Sequence, residues 1–264
     1  MKIAIIGAGN MGGAIACGLA ASGVYKAGEI VCANPSKDKL DALRARYDII
    51  STTTDNLAAA ENADMVIVAV KPWLAEGVIK QLATTFTAPS KMLVSVVADT
   101  SFAELHDWVA QCEYQPAIFR VIPNTAICVG KSMTFVSADT ATQEQTDMVM
   151  NIFSKMGVAM LVGEKMLEVG MVLASCGIAF AFRYIRAAAE GGVELGCPAG
   201  QATRIVAATL KGAAELLLQN ESHPEQEIDK VTTAGGITIK GLNEMEHAGF
   251  TSAVIRGLKA SAGK

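Results

Sequence analysis

The chain has 264 residues, of which 51% are hydrophobic and 18% charged, and this composition excludes an intrinsically disordered protein. With 22 basic and 26 acidic residues the net charge is −4, so the chain lacks the basic surface that nucleic acid binding requires. The 3 histidines lie far apart and the 6 cysteines form no CxxC pair, so we expect no metal site and reduced thiols, as in a cytoplasmic protein.

The first half of the chain alternates short apolar runs with helix-forming segments. The predicted strands cover residues 2–6, 30–33, 64–70, 91–97, 117–121 and 133–136. Helical stretches separate most of them, including one at 14–21 and one that starts at Ser36. This alternation predicts an α/β fold whose N-terminal part is a Rossmann-type, doubly wound parallel sheet.

Strand signals stop near residue 163, and the remaining sequence is rich in Ala, Leu, Glu and Lys. The predicted helices cover residues 164–190, 198–219, 225–232, 237–247 and 250–261. The first of these is too apolar to be a solvated arm, so we expect it to pack against another subunit. The sequence therefore predicts a dinucleotide-binding Rossmann domain at 1–162 and an all-α dimerisation domain at 163–264, in a homodimer or a higher homo-oligomer.

No segment predicts insertion into a membrane. The stretch that most resembles a membrane span, Met171 to Phe182, has twelve uncharged residues, fewer than the roughly 20 that a membrane-spanning helix needs. The apolar run at the N-terminus is short and leads into glycines, so a strand that enters a turn explains it better than an export signal.

Three glycines follow the first predicted strand with the spacing of a dinucleotide-binding turn. Gly7 allows a tight turn, Gly9 lets the backbone approach a pyrophosphate, and Gly12 lets the following helix pack on the strand. Amides at the start of that helix would stabilise the anion. An ordinary glycine-rich turn is the alternative, but the context of strand, turn and helix favours the cofactor site.

The second predicted strand ends in Asn34, where NAD-specific sites usually carry Asp or Glu. Asn34, Ser36 and Lys37 can donate hydrogen bonds to a 2′-phosphate, and Lys37 adds positive charge. This pattern favours NADPH, with NADH as the weaker cofactor. The same residues could also turn the chain and cap a helix, and the two interpretations are compatible.

Two further segments are candidates for ligand contacts. Lys71 and Pro72 follow the strand at 64–70, at the carboxyl end where open α/β sheets bind ligands, so Lys71 could face the cofactor. A solvated lysine before a turn is the alternative, and only the glycine fingerprint upstream makes the pattern informative. The loop at 235–238 precedes a helical pattern, so its amides and the Thr238 hydroxyl could hold a carboxylate. A tight turn between two helices accounts for that loop equally well.

Four segments together resemble the pyrroline-5-carboxylate reductase family. They read AIIGAGNMGGAIACGL from residue 4, ADMVIVAVKP from 63, RVIPNTAICVG from 120 and HPEQEIDKVTTAGGITIKGL from 223. The resemblance spans nearly the whole chain. It implies a Rossmann domain, a helical domain that interlocks across a dimer and also binds the substrate, and NADPH-dependent reduction of 1-pyrroline-5-carboxylate, a cyclic imino acid, to L-proline.

The resemblance also implies the residues of the site. Those expected to bind NADPH are Gly7, Gly9, Asn10, Met11, Gly12, Asn34, Ser36, Asn56, Ala69, Val70, Lys71 and Pro72. Those expected at the substrate are Glu221, Gly235, Gly236, Ile237 and Thr238. Thr238 is the expected catalytic contact near the imine, with water as the proton source.

Two segments depart from the pattern of the family. Residues 174–179 read Ala-Ser-Cys-Gly-Ile-Ala where the family usually has Ser-Gly-Ser-Gly-Pro-Ala. Residues 233–238 read Thr-Ala-Gly-Gly-Ile-Thr where it has Ser-Pro-Gly-Gly-Thr-Thr or a close variant. These changes keep a catalytically idle NADP-binding protein as one alternative. A β-hydroxyacid-dehydrogenase-like oxidoreductase is the other, although that family implies a helix lysine and residues 168–182 contain none.

Overall fold

A computed structural model describes residues 1–263 of the chain. It divides into two compact units, one spanning Met1–Ser175 and the other beginning at Cys176. The first unit is built around one eight-stranded sheet, and the second is helical.

The sheet has the strand order β3-β2-β1-β4-β5-β6-β7-β8. The strands are β1 (Ile3–Ile6), β2 (Ile30–Ala33), β3 (Ile50–Thr53), β4 (Met65–Val68), β5 (Met92–Ser95), β6 (Ala117–Ile122), β7 (Ser132–Asp139) and β8 (Gly157–Leu161). The helices of this part are α1 (Asn10–Ala21), α2 (Lys37–Arg46), α3 (Asn56–Ala60), α4 (Pro72–Leu82), α5 (Phe102–Val109) and α6 (Gln143–Ser154). The later helices are α7 (Glu164–Gly170), α8 (Gly177–Glu194), α9 (Ala199–Asn220), α10 (Pro224–Val231), α11 (Ile237–His247) and α12 (Phe250–Ser261).

Strand β1 occupies the inner part of the sheet because all four of its side chains are apolar and buried. Such continuous apolar runs suit parallel strands that are covered on both faces. In the register, Ile6 lies opposite Ala33 of β2 and opposite Val68 of β4. The carboxyl ends of these three strands are therefore level, and the segments that follow them emerge side by side.

Helices cover both faces of the sheet. On one face Leu19 of α1 and Phe153 of α6 belong to a core cluster with β1 and β2. On the other face Ile79 of α4 and Leu105 of α5 belong to a second cluster with β4 and β5. The doubly wound α/β fold predicted from the sequence is confirmed.

The sheet is not parallel throughout, which the sequence did not predict. Strand β7 runs antiparallel to β6, with Ile122 opposite Phe135, and β8 then pairs parallel with β7. The connection at 123–131 is shorter than the dozen or more residues that a parallel crossover needs. The chain therefore returns beside β6 in the opposite direction.

Two strands were missed because both lie at edges of the sheet, where the apolar signal is weak. Strand β3 reads ISTT, and only Ile50 is buried. Strand β8 reads GVAML, and none of its residues is fully buried. An edge strand is paired on one side only and can remain polar or exposed.

The helix predicted at 164–190 is a 31-residue helix, Glu164–Glu194, with a π-helical segment at Met171–Cys176 between α7 and α8. By length and composition this helix could cross a membrane. The apolar part of the helix is thus longer than the stretch 171–182 on which the sequence analysis was based. Only 22% of its most apolar 18-residue window is buried. Most residues of this window are therefore exposed or half-buried.

The helical unit also exposes apolar surface. Helices α9 to α12 begin and end within one residue of their predicted bounds, but α10, α11 and α12 contain no buried residue. A groove of about 530 Å³ lies between α8 and α12, and its lining includes Phe180, Tyr184, Phe250 and Val254. The Tyr184 and Phe250 rings meet edge to face at 6.4 Å. A single copy of this unit therefore lacks a closed core.

Glu164 fixes the start of α7 in the α/β unit. Its Oε1 accepts hydrogen bonds from the Arg120 guanidinium at 2.7 Å and from the backbone N–H of Phe102 at 2.8 Å. The Arg120 side chain is 11% exposed and that of Glu164 is 42% exposed. The pair therefore balances a guanidinium that is mostly removed from water.

Replacing Glu164 with Ala should lower the free energy of unfolding by about 1–2 kcal/mol, because Arg120 would lose its counter-ion while the exposure of Glu164 moderates the effect. Urea denaturation measures the change. As the control, Glu190→Ala breaks a surface pair with Arg186 one helical turn away and should cost no more than about 0.5 kcal/mol. Equal losses in the two variants would contradict this role of Glu164.

Candidate functional site

The turn after β1 has the geometry that its three glycines predict. Gly7 has a φ of +102°, and a Cβ there would lie 2.6 Å from the carbonyl oxygen of Ala69. A Cβ at Gly12 would overlap the carbonyl oxygen of Gly7, whereas a Cβ at Gly9 would meet nothing within 4 Å. Gly7 and Gly12 thus allow close packing, and Gly9 leaves free space in front of α1.

That free space lies at the uncapped N-terminus of α1. Gly9 is the N-cap residue and supplies no side-chain cap, and Asn10 and Met11 begin the helix with exposed or half-buried side chains. The first amides of a helix need external acceptors, and an anion satisfies both these amides and the helix dipole. The turn therefore fits the pyrophosphate of a dinucleotide.

Asn34, at the end of β2, braces this turn. Its Oδ1 accepts a hydrogen bond from the backbone N–H of Ala8 at 3.0 Å, and its Nδ2 donates to the carbonyl oxygen of Ser36 at 3.3 Å. Its side chain is buried, so Asn34 acts on the shape of the turn. Ser36 is the N-cap of α2 without a capping bond from its side chain, and Lys37 beside it is exposed. Ser36 and Lys37 are thus the groups most available to a 2′-phosphate.

The other expected cofactor residues follow β3 and β4. Ala69 leaves β4 with its N–H bonded to the carbonyl oxygen of Ile6 at 2.8 Å, which places it beside the glycine turn. Val70 is half-buried, Lys71 is the exposed N-cap of α4, and Pro72 is the first residue of that helix. Asn56 begins α3, and its Nδ2 lies 3.5 Å from Oε1 of Gln81.

These positions therefore gather around one edge of the sheet. The loops after β1, β2, β3 and β4 all leave its carboxyl edge, since neighbouring strands are parallel and in register. The residues that follow them offer free amides, a hydroxyl and two ammonium groups. This combination suits a phosphorylated dinucleotide, and we call this carboxyl edge, with the loops after β1, β2, β3 and β4, the nucleotide edge.

The expected substrate loop lies at the start of α11. Gly235 has a φ of +73°, Gly236 is the N-cap, and Ile237 and Thr238 are the first two helical residues, both exposed. No side chain caps this helix, so Thr238 is not its cap. The amides at the start of α11 and the Thr238 hydroxyl are open to a ligand.

Glu221, the remaining expected substrate residue, is exposed and has a φ of 49° at the end of α9. Glu221 precedes α10, whereas the loop Gly235–Thr238 follows α10. The eight residues of α10 span about 12 Å, so these substrate positions lie at opposite ends of that helix.

Glu227 holds the turn that contains Glu221, and sequence reasoning missed it. Its Oε1 accepts hydrogen bonds from Nζ of Lys230 at 2.7 Å, from Oγ of Ser222 at 2.6 Å and from Nδ2 of Asn220 at 3.3 Å. The bonds from Lys230, Ser222 and Asn220 lower the pKa of the Glu227 carboxyl to about 2. In the sequence, only the i,i+3 spacing of Glu227 and Lys230 indicated this interaction.

Asn124, which lies in the segment RVIPNTAICVG, is a second site residue that the sequence did not predict. Its Nδ2 donates to the carbonyl oxygen of Ala174, inside the π-helical segment, at 3.4 Å, and its Oδ1 accepts from the N–H of Ala126 at 3.1 Å. The run at 174–179, which differs from the pattern of the family, begins within this π-helical segment. π-Helical turns are frequent at functional sites.

Comparison with known proteins matches both parts of the chain. Residues 164–264 match the family described as pyrroline-5-carboxylate reductase dimerisation, and residues 2–99 match NADP oxidoreductase, coenzyme F420-dependent. Pyrroline-5-carboxylate reductase 2 of Dictyostelium discoideum is 39% identical, over 100% of this chain and 91% of its own length. Reductase 1 of that organism is also 39% identical over 99% of this chain, which spans 49% of that relative's length, about half.

A solved structure gives the same result. The crystal structure of Plasmodium falciparum pyrroline carboxylate reductase with NADP bound superposes with a TM-score of 0.89 at 25% identity, covering 99% of this chain and 95% of the other.

The fold and the nucleotide edge define an NADP-dependent oxidoreductase with a Rossmann-type part and a helical dimerisation part. Since a relative of nearly equal length shares 39% of its residues, the chain belongs to the pyrroline-5-carboxylate reductase family. Within residues 1–263, no group of three or more His, Cys, Asp or Glu side chains could hold a metal ion.

The substitution Glu227→Gln tests the clamp around Glu221 by its pH dependence. The carboxyl titrates at about 2 when folded and about 4.3 when unfolded. Because folding lowers this pKa, the stabilisation by the ionised carboxyl is complete above about pH 5 and is lost as the pH falls through about 2. We expect a lower melting temperature for the variant at pH 7, and a difference that shrinks as the pH falls and disappears only below about pH 2.

The matched control is Glu225→Gln, an exposed carboxyl in the first turn of the same helix. It should leave the melting temperature almost unchanged at both pH values. A difference between Glu227→Gln and the unmodified protein that is constant with pH would contradict the charged clamp.

Proposed function

We propose that the protein reduces 1-pyrroline-5-carboxylate to L-proline with NADPH, a step of proline biosynthesis. The observation that carries this proposal is membership of the family over the whole chain. A glycine turn that leaves room for a pyrophosphate and a solved relative with NADP bound support the cofactor. The enzyme is then an oxidoreductase that acts on a C=N bond.

Bound NADPH supplies the hydride that the imine carbon receives. The chain's own residues mainly hold the two reactants in line, which is a large part of such catalysis. In this proposal the turn at 7–12 binds the pyrophosphate through its amides, including those of Asn10 and Met11. Asn56 and the segment Ala69–Pro72 contact other parts of the cofactor.

The preference for NADPH over NADH rests on the end of β2. The Ser36 hydroxyl and the Lys37 ammonium are free to meet a 2′-phosphate. An acidic residue at position 34 would repel that phosphate, but the amide of Asn34 carries no charge. We therefore propose NADPH as the preferred cofactor and NADH as a weaker one.

For the substrate we propose the loop Gly235–Thr238. Its exposed amides would hold the carboxylate, as helix N-termini hold anions. The Thr238 hydroxyl would contact the imine nitrogen, with water supplying the proton. Glu221 would contribute a further polar contact, and Ile237, which is 88% exposed, would form an apolar rim.

The domain boundaries and the assembly are part of the proposal. The family matches support an NADP-binding domain at 1–162 and a helical dimerisation and substrate domain at 163–264. The apolar groove between α8 and α12 and the exposed face of α8 support a homodimer or a higher homo-oligomer. We also propose a cytoplasmic location, which the six unpaired cysteines suit.

The purified protein should oxidise NADPH when 1-pyrroline-5-carboxylate is added, and proline should accumulate in equal amount. Oxidation of a 3-hydroxy acid with NADP would favour a β-hydroxyacid dehydrogenase instead. Tight NADPH binding without turnover of either compound would indicate a catalytically idle protein.

The double change Asn34→Asp with Ser36→Ala should erase or reverse the preference for NADPH. Asp keeps the oxygen that accepts from Ala8, so the turn should survive while its new charge repels the 2′-phosphate. The measurement is kcat/KM for both cofactors. Equal values for NADPH and NADH in the unmodified protein would refute the preference.

The change Thr238→Ala should lower kcat several-fold, because one neutral hydrogen bond is worth roughly 1 kcal/mol. NADPH binding and the melting temperature should stay unchanged, since Thr238 is exposed and does not cap α11. Thr251→Ala, at the same position of α12, serves as the control and should leave kcat unchanged. Normal turnover in Thr238→Ala would remove Thr238 from the mechanism.

A further inference from the structure

The indole ring of Trp73 lies exposed at the start of α4. It is 77% exposed, whereas tryptophan side chains are usually mostly buried. The other tryptophan, Trp108 on α5, is half-buried against the core on the same face of the sheet. An exposed ring at the nucleotide edge suggests an apolar ligand surface.

The surroundings of Trp73 belong to the proposed cofactor site. Nζ of Lys71 lies 6.0 Å from the centre of the Trp73 ring, the outer limit of a cation–π contact. Lys71 follows Ala69, whose carbonyl oxygen packs against Gly7. The ring therefore lies beside a positive charge and three residues beyond Val70, the end of the segment that packs against Gly7.

One exposed stripe of α4 leads from Trp73 to Asn56. Trp73, Gly77 and Gln81 are spaced four residues apart, so they share one face of the helix. A Cβ at Gly77 would meet nothing within 4 Å, which leaves the middle of the stripe flat. At its far end Oε1 of Gln81 accepts from Nδ2 of Asn56 at 3.5 Å. Trp73 and Gln81 are about 12 Å apart along the helix axis.

We propose that Trp73 is a further cofactor-binding residue, whose indole face packs against the adenine of NADPH along this stripe of α4. Adenine is a flat aromatic ring whose π faces stack well on aromatic side chains. Lys71 beside the indole would meet the negative charge of the adjoining phosphates. This inference rests on the proposed function only for the identity of the cofactor.

Tryptophan fluorescence tests the contact because the chain has only two tryptophans. In a Trp108→Phe background the emission comes from Trp73 alone. Titration with 2′-phospho-ADP-ribose, which lacks the nicotinamide, should change this emission, whereas nicotinamide mononucleotide should leave it unchanged. In the reciprocal Trp73→Phe background neither compound should alter the emission of Trp108.

Affinity provides the second measurement. Trp73→Ala should raise the Kd for NADPH and for 2′-phospho-ADP-ribose alike, by about tenfold, and Trp73→Phe should raise it less. The matched control is Leu74→Ala, which shortens a neighbouring side chain of 50% exposure and should change the Kd less than twofold. The Kd for nicotinamide mononucleotide should be the same in all variants.

Unchanged emission of Trp73 at saturating 2′-phospho-ADP-ribose would overturn the inference, even if Trp73→Ala weakened binding. An emission that follows protein concentration and not the nucleotide would overturn it too, since Trp73 would then lie between copies of the chain. These titrations need no substrate. Absence of turnover with 1-pyrroline-5-carboxylate would therefore refute the proposed function while leaving the contact between Trp73 and adenine intact.

Discussion

The nucleotide edge depends on the close contact between the exits of β1 and β4. The N–H of Gly7 is bonded to Ala33 at 2.8 Å, and the N–H of Ala69 is bonded to Ile6 at 2.8 Å. These bonds join the ends of β1, β2 and β4, and the Ala69 carbonyl oxygen then leaves no room for a side chain at Gly7. Any residue with a Cβ would also be strained at this positive φ. A side chain at position 7 would therefore push the exits of β1 and β4 apart and disturb the edge of the sheet at which Ser36, Lys71 and the start of α1 lie.

How much of the fold can be predicted depends on where each element lies. The inner strands could be predicted because short, continuous runs of Ile and Val, bounded by turn residues, are typical of buried parallel strands. The edge strands β3 and β8 carry no such run, since one side of each is unpaired. The reversal at β7 could have been predicted from the length of the 123–131 connection. The π-helical segment at Met171–Cys176 could not, because its sequence has ordinary helical composition.

More residues of the nucleotide edge than of the substrate region could be predicted from the sequence. The reason is that backbone constraints require particular residue types, above all glycine. A tight turn needs glycine whatever the ligand, so the glycine spacing of segment 7–12 is enough to predict a dinucleotide-binding turn. Side-chain roles depend on contacts between distant segments. The bracing of Ala8 by Asn34 crosses 26 residues, and the bond between Asn124 and Ala174 crosses 50. The clamp of Glu227 is local, but its effect on the neighbouring turn needs coordinates to be seen.

The difference between backbone constraints and side-chain roles also bears on the two segments in which this chain differs from its family. Anion binding by backbone amides tolerates changes of side chain, as long as the glycines and the helix starts remain. At 235–236 the glycine pair is retained, and Gly236 still opens an uncapped helix although Ile237 follows it. The run at 174–179 begins in the π-helical segment, where the carbonyl oxygen of Ala174 accepts a hydrogen bond from Nδ2 of Asn124, a backbone contact that does not depend on the side chain at position 174. Relative to the pattern of the family, Ser175 replaces a glycine and Ile178 replaces a proline. Both replaced residues have special backbone preferences, so this run, unlike the glycine pair at 235–236, differs from the family in backbone constraint as well as in polarity.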